Sequence, residues 1–295
     1  MVQIMDRKDF IKSAALIMAT PLITKAETVL NELNKNANTD TMPVIFIGHG
    51  NPMNALYDNK FTKTLSGLQK TITKPKAILV VSAHWLTRGT YVSVNPTPKT
   101  IYDFGGFPEE LYKVVYEPKG APELAKEVKE KITYAKVEAD AQMGLDHGAW
   151  TVLKHMYPNA DIPTFQLSID YSKPAQYHYD LAKQLNFLRS KGVLVLGSGN
   201  IVHNLGMVDF NNPTGAYDWA VEFDATVKTN LNKGDFNALV NYEKLGKSAA
   251  LSIPTNDHYL PMMYSIALKQ EKENIEYIYE SMEMGSISMR SFIIK

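Results

Sequence analysis

Short, continuous apolar runs punctuate the chain, each bounded by turn-forming residues. Pro43-Val-Ile-Phe-Ile47, Ala77-Ile-Leu-Val-Val-Ser82 and Val193-Leu-Val-Leu-Gly197 are the clearest, and Ile162 to Ile169 is a weaker fourth. Runs of this length, rich in β-branched residues, predict strands buried on both faces. Between and beyond them apolar positions recur at helical spacing over Ala55–Leu68, Pro122–Ile132, Pro174–Leu188, Trp219–Leu231 and Leu260–Leu268. Strands alternating with helices predict an α/β fold: a single domain whose central sheet is mostly parallel and carries helices on both faces. The tail, Ile275–Tyr279 and Ser286–Ile294, reads as two strands joined by a turn at Gly285, which makes the sheet mixed.

The polar, turn-rich stretch Asn34–Asp40 divides the chain into an N-terminal extension, residues 1–40, and a catalytic-type domain, residues 41–295. Within the extension, Arg7-Lys8-Asp9-Phe10-Ile11-Lys12 and the apolar run Ala14–Ile23 have the form of a degenerate twin-arginine export signal, with Lys in place of the second Arg. The other reading is an amphipathic surface helix from Asp9 to about Leu33. The cytoplasm is the expected compartment, and the periplasm is the alternative if the segment acts as a signal. No apolar stretch reaches the roughly 20 residues that a membrane span needs.

Composition removes several function classes. Basic and acidic residues number 31 each, so the formal net charge is +0 and there is no electrostatic footprint for nucleic acid or an anionic membrane. Cysteine is absent, which excludes disulfides, thiolate nucleophiles and Cys-ligated metals. Any metal must be held by His, Asp or Glu. The expected partner is a small molecule, and oligomeric state is not legible.

Seven histidines occur, and their surroundings sort them. His49 in Gly48-His49-Gly50-Asn51-Pro52, His84 in Ser82-Ala83-His84-Trp85 and His203 at the end of Gly197-Ser198-Gly199-Asn200-Ile201-Val202-His203 each follow a buried strand. Ligands of open α/β sheets gather beyond the carboxyl ends of strands, so three imidazoles delivered there predict a metal site. The first two are separated by about one strand–helix–strand unit, which predicts parallel neighbours with adjoining ends. His147, in Gly144-Leu145-Asp146-His147-Gly148, occupies a turn-rich loop before a helix. His258, in Pro254-Thr255-Asn256-Asp257-His258, opens the helix near Tyr259, with Asp257 or Asn256 as its cap. His155 and His178 lie inside helical patterns and read as surface or helix-packing residues. The Gly197-Ser198-Gly199 segment lacks the third Gly of a dinucleotide loop and reads as a strand-to-loop turn bringing backbone close to a metal. Phe104-Gly105-Gly106-Phe107-Pro108 reads equally as a lid over an aromatic substrate or a tight turn with two packed rings.

Taken together, Pro43–Met53, Ser82–Trp85, Tyr102–Pro108, Gly144–Gly148, Gly197–Asn204 and Pro254–Tyr259 resemble the 4,5-DOPA extradiol dioxygenase family. That family belongs to the class III extradiol ring-cleaving dioxygenases, related to the protocatechuate 4,5-dioxygenase β subunit. The likeness runs in order over about residues 43 to 293 and leaves the extension outside. It implies a mononuclear metal site, with Fe(II) for catalysis and zinc often found instead, and a small aromatic diol and O2 as reactants. His49, His84 and His258 resemble the metal ligands, and His203 resembles a histidine that is either a fourth ligand or the catalytic base. His147 resembles a histidine facing substrate. His258 stands where the wider superfamily carries a Glu, so the usual two-His, one-carboxylate pattern is not met.

Neutral imidazoles leave a divalent ion its full charge, which lowers the pKa of a bound catechol hydroxyl. His203 is the candidate base for the second proton and His147 the candidate acid. Ring opening beside the diol would give a semialdehyde. Two other readings use the same residues: a zinc-dependent hydrolase, and a non-catalytic metal-binding protein of the superfamily.

Overall fold

The first strand, β1 (Val44–Gly48), forms from five buried residues whose side chains alternate between the two faces of a sheet. The computed structural model describes residues 41–295; the readings made for the N-terminal extension fall outside it. The central sheet has six strands: β1, β2 (Ala77–Ser82), β3 (Thr164–Gln166), β4 (Val193–Gly199), β5 (Ile275–Tyr279) and β6 (Ser291–Ile294). Their order is β3-β2-β4-β1-β6-β5. The first four are parallel; β6 runs antiparallel to both β1 and β5. The sheet is therefore mixed and mostly parallel, as the apolar runs predict.

Period-two alternation divides the core in two. Val44, Phe46, Leu79, Val81, Val193 and Val195 face one layer, which holds α2 (Pro122–Lys131), α4 (Ala175–Lys183), α5 (Asp218–Lys233) and α6 (Leu260–Ile266). Ile45, Ile47, Ile78, Val80, Leu194 and Leu196 face the other, which holds α1 (Lys60–Leu68) and α3 (His147–Met156). Central strands buried on both sides need apolar residues at every position, hence the unbroken runs in the sequence.

Several predicted boundaries shift. The pattern over Ala55–Leu68 resolves into a 3-10 turn at Pro52–Ala55 and α1, which Asn59 caps by accepting from Thr62 N. Pro174–Leu188 divides into α4 and a short helix at Asn186–Ser190. The C-terminal tail carries an extra small hairpin, Met282–Glu283 with Ile287–Ser288, whose turn includes Gly285 at φ 81°. Two further parallel pairs, Leu86–Thr87 with Ile169–Asp170 and Thr90–Ser93 with Val137–Asp140, were not apparent from periodicity. Among the described residues, no helix is long and apolar enough to cross a membrane.

One topological expectation is corrected. β1 and β2 are not neighbours, because β4 lies between them and pairs with both. The register still sets the ends flush: Ser198 of β4 aligns with Ile47 on one side and Ser82 on the other. His49 N donates to Gly199 O at 3.0 Å and Ala83 N to Ser198 O at 2.9 Å. Strands spaced about 4.8 Å apart therefore deliver His49 and His84 to either side of β4, near enough for their rings to meet above its end.

Candidate metal centre

Five histidines line one cavity of about 400 Å³ at this edge of the sheet: His49, His84, His147, His203 and His258. Ring centroids lie 5.0 Å apart for His49 and His84, 4.9 Å for His84 and His258, and 5.3 Å for His49 and His258. His147 packs 3.8 Å from the His84 ring, and the donor atoms of His49, His84 and His147 lie within 4.8 Å of one another. His203 stacks on His258, with centroids 3.4 Å apart and planes within 9°. His155 and His178 do not join them. Nε2 of His155 donates to Asn54 O at 2.7 Å, and His178 is buried in α4 with Nδ1 2.9 Å from the Tyr264 hydroxyl. Both are helix-packing residues.

Local sequence explains how each ring is carried. His49 follows β1 directly. His84 comes two residues after β2, and Gly148 makes room for it, since a Cβ at 148 would lie 2.5 Å from Ser82 Oγ and 2.9 Å from His84 Cδ2. His147 is the first residue of α3 and not part of a preceding loop. Asp146 caps that helix, accepting from Ala149 N at 3.1 Å. His258 lies just before α6, which packs against β4 because Gly199 has no side chain: a Cβ there would meet His258 O at 2.1 Å. Gly197-Ser198-Gly199 is thus strand, and its glycines admit the α6 backbone where the sequence reading expected a turn at a metal. The predicted cap of α6 is also corrected. Neither Asn256 nor Asp257 caps it through a side chain; the Asn256 carbonyl accepts from Tyr259 N and Leu260 N, and the Asp257 carboxylate turns to His258 Nδ1.

Hydrogen bonds define the tautomers. The one hydroxyl proton of Ser198 goes to Gly148 O at 2.5 Å, so its oxygen must accept from Nδ1–H of His49 at 3.0 Å. Asp257 accepts from Nδ1 of His258. One carboxylate, Asp103, serves two rings, with Oδ2 2.9 Å from Nδ1 of His147 and 3.4 Å from Nδ1 of His84; its Oδ1 accepts from His147 N at 2.8 Å. His49, His147 and His258 thus keep their Nδ1 protons and present Nε2 lone pairs, the arrangement by which partner groups prepare imidazole for a metal, while His84 Nδ1 lies beside the Asp103 carboxylate without a hydrogen bond to it. Burial holds His49, His258 and His84 neutral: it drives His49 and His258 well below the ordinary histidine pKa, and His84 down to about 3, with neighbouring imidazoles adding to the effect. Burial lowers His203 to about 4.

The donor set fits one divalent ion. Nε2 of His49 and Nε2 of His84 lie 3.2 Å apart, a separation that either one shared proton or a shared cation satisfies. With metal–nitrogen bonds of ~2.1 Å, three imidazoles around one ion place their ring centroids about 5 Å apart, matching the triangle of His49, His84 and His258. His203 stands differently. A lone pair lies in the plane of its ring, and the nearly parallel planes of His203 and His258 do not converge on a common point.

The sequence reading assigned no role to Asp103 or Ser198 and gave Asp257 a different one. A carboxylate next to a candidate histidine was the available signal for Asp257. It fails at Asp146, whose carboxylate accepts from Ser82 Oγ at 2.5 Å while His147 turns to Asp103. The Phe104–Pro108 segment supplies Phe104 and Phe107 to the cavity, and Phe104 meets the His147 ring edge-on at 5.5 Å.

This fold and site define an enzyme class. The chain belongs to the family described as the catalytic LigB subunit of aromatic ring-opening dioxygenase, whose model matches residues 42–291. Such enzymes are oxidoreductases that incorporate molecular oxygen. Its relatives include a 4,5-DOPA dioxygenase extradiol of Escherichia coli K12, 46% identical over 254 residues that span 85% of this chain and 93% of that protein. A protein of the same name from Beta vulgaris is 38% identical over 254 residues, spanning 84% and 94% of the two chains. The crystal structure of an uncharacterized Escherichia coli K12 protein superposes with a TM-score of 0.76 at 42% identity, covering 86% of this chain and all (100%) of that one.

Proposed function

We propose that this protein is an extradiol dioxygenase that opens the ring of a DOPA-like catechol with O2, using one metal ion held by His49, His84 and His258. The observation that carries the reading is the cluster of imidazoles around one apolar cavity, with His49, His84 and His258 spaced for a shared ion. A bound divalent ion would supply Lewis acidity toward the diol hydroxyls and, as Fe(II), a route for electrons to dioxygen. The all-imidazole donor set suits zinc as well, so Fe(II) is the proposed working metal and zinc the ion expected after purification.

His203 acts as the base and not as a fourth ligand. Its ring is held neutral by burial, carries no side-chain hydrogen bond among the described residues, and stacks on His258 with nearly parallel planes, so its lone pair and that of His258 do not converge. From there it can accept a hydroxyl proton of a diol in the cavity. His147 takes up the other hydroxyl proton of the diol at Nε2 and returns it to the opening ring. Asp103 holds its Nδ1 proton and stabilises the imidazolium that forms when Nε2 takes up a proton. Phe104 covers His147 on its apolar side, excluding water from the transfer.

The test is anaerobic reconstitution of chelator-stripped protein with Fe(II), followed by a catechol and then oxygen. A yellow product formed only with oxygen supports the reading. Lack of that product, with ester or amide hydrolysis by the zinc form, overturns it in favour of a hydrolase. His203→Ala should lower kcat at least a hundredfold while the metal content stays unchanged; if the metal is lost, His203 is a ligand.

A further inference from the structure

A second cavity, of about 380 Å³, lies beside the metal cavity. Asn51 and Met284 line both and form the wall between them. Asn54 ties the second cavity to the metal site, since its Nδ2 donates to the backbone carbonyl of His49 at 3.2 Å. Chemically the two differ. Among the described residues no Lys or Arg lines the metal cavity, whereas the second holds Lys60 and Glu283 together. Neither charge has an internal partner among the described residues. Asp58, the nearest acid to Lys60 in sequence, pairs with Lys63 at 3.3 Å, and burial without a compensating group raises the Glu283 carboxyl pKa. The wall is fixed in place and offers donors of its own. Asn51 Oδ1 accepts from Met53 N at 2.8 Å, which leaves the NH2 of the same amide unpartnered. Met284 is held at φ 48°, a left-handed conformation costly for a methionine, by bonds from its N to Pro213 O and from Asp209 N to its O.

We infer, building on the catechol reading above, that the second cavity is the subsite for the charged end of an α-amino-acid substituent. Lys60 pairs with its carboxylate, Glu283 with its ammonium, and the Asn51 amide donates to the carboxylate where the substituent crosses the wall. An α-amino acid carries opposite charges on one carbon, so it fits a cavity that places a cation and an anion together beside a ring pocket holding neither Lys nor Arg. A half-buried carboxylate such as Glu283 loses water without finding a partner, and an incoming ammonium offsets that cost. The pair therefore discriminates among substituents, while the ring and the metal supply most of the affinity. Lys60 and Glu283 are specificity-determining residues, and neither touches the reacting atoms.

The experiment measures kcat/KM of the Fe(II)-loaded wild type, Lys60→Met and Glu283→Gln on DOPA, dopamine, 3-(3,4-dihydroxyphenyl)propionate and 4-ethylcatechol. These substituents carry both charges, the ammonium alone, the carboxylate alone and neither. Each value is divided by that for 4-ethylcatechol, so a general loss of activity cancels. Lys60→Met should lower the ratio about fivefold for DOPA and for the propionate, through KM, the effect of an ion pair partly screened by water. Glu283→Gln should lower it as much for DOPA and for dopamine. A fall of less than about threefold in either variant, or one that follows the wrong charge, overturns the inference. Calorimetric binding of the same catechols to the zinc-loaded proteins separates this subsite from the reading on which it rests. If no catechol is opened, the dioxygenase reading fails; DOPA binding weakened in both variants relative to 4-ethylcatechol still supports the subsite, and an unchanged relative affinity overturns it.

Discussion

Nε2 of His49 and Nε2 of His84 face each other at 3.2 Å across the end of β4, and His49 offers a lone pair there because its Nδ1 proton is directed to Ser198. A cation between them would be bound by both nitrogens once His84 carries its proton on Nδ1, 3.4 Å from the Asp103 carboxylate. Chelator-stripped protein should therefore gain thermal stability on adding Zn(II): a hundredfold excess over Kd corresponds to about 2.7 kcal/mol, or roughly 5–10 °C for a domain of this size. His49→Ala should abolish most of the gain. Differential scanning fluorimetry with and without metal reads the shift, and an equal response in the variant would remove His49 from the ligand set.

Asp103 reaches both His84 and His147 through one oxygen. Asp103→Asn removes the negative charge beside both rings and puts an amide where the carboxylate accepted from His147, which lets that ring move its proton to Nε2 and lose the lone pair there. Metal affinity should fall about 10- to 100-fold, the range typical when a group that orients a metal-binding histidine is removed. Competition with a chromophoric chelator measures it, and wild-type affinity in the variant would show that the carboxylate orients neither ring.

Gly148→Ala should reverse an ordinary rule. Inside an exposed helix that change stabilises by up to about 1 kcal/mol. Here the new methyl would sit 2.5 Å from Ser82 Oγ and 2.9 Å from the His84 ring. The expected outcome is destabilisation by roughly 1–3 kcal/mol together with weaker metal binding, both read from urea unfolding with and without Zn(II). A more stable variant would mean that His84 has room to spare.

His178, away from the metal cluster, supplies a pH signature. Burial lowers its pKa from 6.5 to about 4. Its folded-state pKa is depressed, so the unfolded chain binds the proton first: stability is intact above about pH 6.5 and declines as pH falls toward 4. The full loss from this one residue is on the order of 3 kcal/mol. His178→Asn should be less stable at pH 7.5, having lost the hydrogen bond to Tyr264, yet lose less on acidification to pH 5 than the wild type. Parallel pH slopes for the two proteins would place the acid sensitivity elsewhere.

Much of this architecture could be read from the chain because the responsible forces are local. An unbroken apolar run bounded by Gly, Pro or Asn is a strand buried on both faces, and the residue after it stands at the sheet edge where ligands gather. That is why His49, His84 and His203 stood out and why His155 and His178 did not. The resemblance brought in His147 and His258. The short parallel pairs at Thr90–Ser93 and Val137–Asp140 were missed because segments of four residues carry too little periodicity.

The amino-acid order by itself determined the long strands of the central sheet, the alternation of their core residues between two faces, and the arrival of His49, His84 and His203 at the edge. Those follow from side-chain alternation and turn chemistry within a few residues. Only the tertiary structure decided that β4 separates β1 from β2, that Asp103 and not Asp146 partners His147, and that His203 lies flat on His258. Each of these depends on register and packing between segments tens to more than a hundred residues apart, where many pairings satisfy the local pattern and only the assembled core selects one.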